Sequence, residues 1–212
     1  MSSNLAYLVY ESMTSGLSSV SFYVLDTSNN QHPFHVLVTS ENTYYYFDSS
    51  ESVYIATSFN ISVNGNVILT VSLNNLQKTG NMTLIVVVTL DIGTSLPGNL
   101  GTYVIQAIQA LFAGVLINLG CSATAYYTIV NEQTGSSSTG STGLSFSLTN
   151  DSQFVASGSI SYSQYEVVNI TQIIISCSTI NVKENMITNT LTSSECTSSS
   201  GCTYTITITF TS

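Results

Sequence analysis

Hydrophobic and polar positions alternate with a period of two along much of this chain. The pattern is cleanest at Thr203–Thr211, where Tyr204, Ile206, Ile208 and Phe210 are interleaved with threonines. Such a period puts apolar side chains on one face of a strand and hydroxyls on the other. A less regular form of it recurs at Val20–Leu25, Phe34–Thr39, Thr43–Phe47, Ser52–Val63, Val67–Leu73, Ser122–Val130, Leu144–Leu148, Phe154–Tyr162, Glu166–Ser176 and Asn189–Ser193. Leu84–Ile92 is a nearly continuous apolar run, interrupted by Thr89 and Asp91, as expected of a strand buried on both faces. Between two of these runs, Asn64-Gly65 predicts a type I′ hairpin, because both residues tolerate positive φ.

Three stretches depart from the alternation. Tyr103–Leu119 places Val104, Ile108, Leu111 and Val115 on one stripe, with Gln106 and Gln109 marking a polar side. This predicts a helix with Thr102 at its N-cap and Gly120 at its end. At ~1.5 Å per residue it extends about 26 Å, against a hydrocarbon core of about 30 Å, so a buried or inter-subunit helix is expected rather than a membrane span. Thr134–Gly143 (TGSSSTGSTG) is of low complexity and reads as a long hairpin loop or as a linker dividing two subdomains. At the N-terminus, Leu5-Ala6-Tyr7-Leu8-Val9-Tyr10 is a short, almost wholly apolar run that reads as a strand, and Glu11–Ser19 behind it has the composition of a connector.

The expected layout is therefore an N-terminal strand over residues 1–10, a linker over 11–19 and a β body over 20–212. A tethered apolar strand either pairs within its own domain or lies in a groove on a neighbour, and the second arrangement makes a polymer. Some ten strands and one helix predict a mainly β fold, a sandwich of the immunoglobulin-like or jelly-roll kind. The 212 residues suffice for one large β domain or two small ones.

Charge narrows the partners. Lys78 and Lys183 are the only basic side chains against eleven carboxylates, giving a formal charge of −9. Nucleic acid is excluded as a partner, because phosphate neutralisation needs clustered Lys and Arg. Both lysines lie beside turn-type residues and are expected at the surface. With 6% charged residues, solubility rests on hydroxyls, amides or attached groups. Asn60, Asn81, Asn150 and Asn169 each begin an Asn-x-Ser/Thr acceptor for N-glycosylation. Cys196 and Cys202 flank a five-residue loop suited to a small disulfide, which leaves Cys121 for Cys177 out of three connectivities. Sequons and cysteines together point to an extracellular protein. No basic segment precedes the first apolar run, so a leader either was cleaved before residue 1 or is replaced by another export route.

The residues offer little chemistry. His32-Pro33-Phe34-His35 has no flanking carboxylates at ligand spacing, so no metal site and no cofactor is expected. There is no Gly-x-Ser-x-Gly elbow, and Asp48 and Glu51 sit in plain turn sequence, which argues against an enzyme. Tyr44-Tyr45-Tyr46-Phe47 suits a half-buried strand better than a sugar-stacking platform.

An apolar N-terminal strand, a Ser/Gly tether, an all-β body, repeated sequons and the near absence of basic residues resemble an archaeal surface filament subunit, the thread-type pilin of Sulfolobales. The resemblance implies a glycosylated, non-enzymatic subunit joined head to tail to identical subunits by donor-strand complementation. Its filament would sit at the cell surface and serve adhesion or biofilm formation, with surface or glycan targets. The donor it implies is Asn4–Tyr10, with either Leu5, Tyr7 and Val9 or Ala6, Leu8 and Tyr10 filling the neighbour's groove. The alternatives are a secreted or virion coat β-domain and a carbohydrate-binding module.

Overall fold

A computed structural model describes residues 5–38, 43–47, 53–79, 83–84, 96, 98–150, 153–179, 182–185 and 193–211. Asp48, Glu51, Asn81, most of Leu84–Ile92 and most of Asn189–Ser193 lie outside them. The chain is mainly β, with two antiparallel sheets and two helices among the described residues. It divides into two compact units, and the division does not fall at 134–143. Unit 1 takes Leu17–Asp91 with Ile105–Ile117, and unit 2 takes Ser2–Gly16, Ile92–Val104 and Asn118–Ser212.

Unit 1 contains β1 (Val20–Asp26), β2 (Gln31–Val38), β3 (Thr43–Phe47), β4 (Tyr54–Val63), β5 (Asn66–Lys78) and β6 (Thr83–Leu84), ordered β5-β4-β1-β2-β3-β6. The Asn-Gly hairpin joins β4 to β5 as expected, with Asn64 at φ 51° and Gly65 at φ 81°. Phe59, Ile61 and Val63 are buried on one face of β4 and Asn60 and Ser62 on the other, as befits a central strand. The aromatic core is a chain of rings, Phe22 to Tyr45 at 5.3 Å, Tyr45 to Phe59 at 5.1 Å and Phe59 to Phe34 at 5.3 Å. Edge strand β5 is uneven. Its register against β4 shifts twice, and Asn74 and Asn75 absorb the second shift at φ 48° and 58°.

Unit 2 contains β7 (Cys121–Asn131), β8 (Ser137–Asn150), β9 (Gln153–Tyr162), β10 (Glu166–Cys177), β11 (Val182–Asn185), β12 (Ser193–Glu195) and β13 (Cys202–Thr211). The order is β11-β10-β7-β8-β9-β13, with β12 also paired to β10. One face is largely apolar. Ala123 and Ala125 of β7 meet Leu144 of β8 and Ile173 and Ile175 of β10, while Phe154 and Ala156 of β9 face Phe210 and Ile208 of β13.

Three expectations are corrected here. Most of Thr134–Gly143 is strand, not loop, since β8 starts at Ser137 and pairs residue by residue with β7 from Val130↔Ser137 to Ala123↔Leu144. One of its glycines has a packing reason. A Cβ on Gly140 would enter the Tyr127 ring, so the bare backbone gives that ring a seat. Helix α2 runs Gly98–Phe112 rather than Tyr103–Leu119. It ends in a Schellman cap, with Gly114 at φ 81°, its N–H donating to Leu111 O and Val115 N–H donating to Ala110 O. The buried stripe is Leu100, Val104, Ala107, Ile108 and Leu111, so Val115, assigned to it from sequence, lies past the end and is exposed.

The third correction concerns the N-terminus. Leu5–Thr14 is an α-helix, α1, and not a strand followed by a linker. Its buried residues are Leu5, Ala6, Leu8, Val9, Ser12 and Met13, the spacing of one helical face. Gly16 N–H donates to Glu11 O and Ser15 takes φ 65°, which closes this helix with a Schellman cap as well.

Candidate functional site

The feature most suited to a function is α1 and the sheet face that holds it. Ser12 Oγ donates to Val9 O and Thr14 Oγ1 to Tyr10 O, so the hydroxyls of the last turn bond back onto helix carbonyls. This leaves the apolar stripe to face unit 2, where α1 packs on β8, β9 and β7. Tyr10 meets the ring of Phe154 at 6.3 Å, and Leu119 N–H donates to Ser12 O at 2.7 Å. Phe154 in turn stacks on Phe210 at 4.6 Å, so the helix rests on the aromatic floor of the sheet. Burial pushes the Glu11 carboxyl above its ordinary value.

Of the residues assigned to a donor strand, Leu5, Ala6, Leu8 and Val9 are thus buried together, whereas Tyr7 and Tyr10 are half-buried. The two alternating sets, Leu5/Tyr7/Val9 and Ala6/Leu8/Tyr10, do not exist as faces of this helix. A helical signal was present in the run Leu5, Leu8, Val9, Ser12, Met13, but it appears only when the segment is read past Tyr10.

The α1 helix belongs to unit 2, yet all of β1–β6 in unit 1 separates it in sequence from the sheet it covers.

Both disulfides form as expected, Cys121–Cys177 and Cys196–Cys202. The first joins register partners of β7 and β10, and the second closes the loop before β13. The sequons divide. Asn60 is 3% exposed, its Oδ1 accepting from Thr70 Oγ1 and its Nδ2 donating to Ser58 Oγ, so it is a core residue of β4 and not an accessible acceptor. Asn150 is exposed at the end of β8, and Asn169 is half-buried on β10.

A polar stack in unit 1 was not foreseen. Asp26 accepts from Ser28 N–H, Asn30 N–H, Asn30 Nδ2 and, at 3.0 Å, His32 Nε2. His32 lies flat on Tyr54 at 3.8 Å, and Lys78 Nζ sits 5.6 Å from the same ring. The four residues come from the same end of β1, β2, β4 and β5. Lys78, expected at the surface, is 1% exposed there. The His32 hydrogen bond, with those from Asn30, holds the Asp26 carboxyl well below the usual carboxylate range. Four bonds fill the roughly four lone-pair positions of a carboxylate, so Asp26 acts as the closure of its own turn. Among the described residues no group of three or more His, Cys, Asp or Glu converges as a metal site.

Tyr45, the second of the tyrosine cluster, is a core residue. Its Oη donates to Phe112 O at 2.6 Å, and burial pushes its pKa up to about 12. On unit 2 a shallow cleft of 430 Å³ is lined by uncharged groups that include Tyr126, Tyr127 and Gln172.

No protein-family model matches the chain. No solved structure matches it either. No helix among the described residues is long and apolar enough to cross a membrane, and disulfides of this kind form and persist in oxidising compartments.

Proposed function

We propose that the chain is a structural, non-enzymatic subunit of an extracellular filament, and that its copies join head to tail through the N-terminal segment. The observation that carries this reading is that an apolar helix, α1, completes unit 2 although all of β1–β6 in unit 1 lies in sequence between it and the sheet it covers. The equivalent helix of a neighbour would make the same contacts, which is the condition for exchange at low cost. Only the chain around Ser15, Gly16 and Leu17 has to take a new path. The resemblance to thread-type pilins supplies the head-to-tail scheme, with the difference that the exchanged element is a helix as seen here. A donor strand would require α1 to unfold first. Glycans at Asn150 and Asn169, and a role in adhesion or biofilm formation, complete the reading.

Negative-stain electron microscopy of native material, intact and without residues 1–12, tests it. Long fibres from the first and isolated particles from the second are expected. Fibres that survive the truncation, or particles in both samples, overturn the proposal.

A further inference from the structure

The two sheets end in unlike edges. On β5 the edge is broken by two register shifts and by the left-handed pair Asn74 and Asn75, devices that blunt an edge against foreign strands. The outer side of β10 is taken by β11 and β12. Among the described residues, strand β13 closes the order of its sheet with neither protection. It pairs with β9 over ten consecutive positions, from Cys202↔Tyr162 to Thr211↔Gln153, without a register shift. It also contains no proline and no charged residue, although both are the usual guards of an exposed edge.

We propose that this edge pairs with β13 of a second copy, the two strands running antiparallel about a two-fold axis through Thr207. The sequence of the strand selects the partner, because it is nearly its own mirror image around that residue. In this register Ile206 faces Ile208, Thr205 faces Thr209, Thr207 faces itself, and Tyr204 stands opposite Phe210. Every pair joins like with like, β-branched beside β-branched and aromatic beside aromatic, which are the pairings that favour antiparallel strands. The faces agree too. Thr205, Thr207 and Thr209 are exposed while Ile206 and Phe210 are buried, so the two-fold continues the apolar face of one sheet into that of the other. At a net charge of −9 two copies repel in most orientations, and β13 is a ten-residue approach without a charge on it. This contact is independent of α1, and in a filament it would join one filament to another side by side.

The test uses the full chain. All four native cysteines are paired, so Thr207→Cys adds a single thiol that faces its own copy. Mild oxidation is expected to convert it to a covalent dimer, whereas Thr205→Cys, four residues from its counterpart, stays unlinked. Thr207→Lys is expected to abolish the dimer in sedimentation velocity while leaving the thermal unfolding midpoint unchanged, since Thr207 is exposed. An equimolar mixture of Thr207→Lys and Thr207→Glu is expected to restore it. Equal cross-linking of the two cysteine variants, a Thr207→Lys protein that sediments as the parent does, or a parent that stays monomeric at all concentrations overturns the proposal.

Discussion

The two units solve the problem of stability differently. Unit 2 has both disulfides, a straight ladder along β9 and β13, and a helix taken from the far end of the chain. Unit 1 has no disulfide among its described residues. It relies on a ring chain through Tyr45 and on a polar stack from Asp26 to Lys78. Covalent links restrict the unfolded chain, and stacks and hydrogen bonds act on the folded one. The units should therefore fail under different insults.

The largest expected effect is on unit 2. Replacing Cys121 and Cys177 together by serine opens a loop of 56 residues, and should cost about 4 kcal/mol. Hydrogen exchange should show the loss in β7 and β10 and leave β1 and β4 as protected as before. Equal loss in both units would erase the distinction drawn here. Next comes Tyr45→Phe, which removes the hydroxyl that satisfies Phe112 O and should cost about 1–2 kcal/mol, read as a lower denaturant midpoint confined to unit 1. Ser15→Gly should act in the opposite direction. Serine pays for its left-handed φ of 65°, and glycine should raise the protection of α1 amides by about 1 kcal/mol.

The last effect appears only in acid. The folded-state pKa of Asp26 is depressed, so its stabilisation is complete above the ordinary value of 3.8 and is lost as pH falls below it. Unit 1 of the parent should weaken through that window, and Asp26→Asn should remove this dependence. Glu11 has the reverse sign. Its raised pKa disfavours the docked helix as pH rises through the ordinary value of 4.5. An acid titration followed by exchange at β1 and at α1 should thus move the two regions in opposite directions.

The strands of this fold were legible where alternation was clean. Both ends of Thr43–Phe47 and the pairing of all four cysteines were readable from local pattern and loop length. What failed was decided by distant partners. The serine-rich stretch before Leu144 has no intrinsic preference for strand, and it is strand because β7 pairs with it. Lys78 follows Gln77 in turn-like text, but the Tyr54 ring across the β4–β5 register draws it inward. Asn60 carries a sequon, which is a pattern of three residues and holds no information about burial. The N-terminal helix was missed because six apolar residues suit a strand or a helix equally, and the turn that decides it lies beyond them.

Because β7–β9 follow α1 by more than a hundred residues, the helix has no resting place until that later part of the chain has been made. At roughly 5–20 residues per second the wait is on the order of ten seconds. During that interval the apolar stripe of Leu5, Leu8, Val9 and Met13 has no sheet to cover it. The order in which the chain emerges thus leaves α1 uncovered until the sheet it packs on has been made.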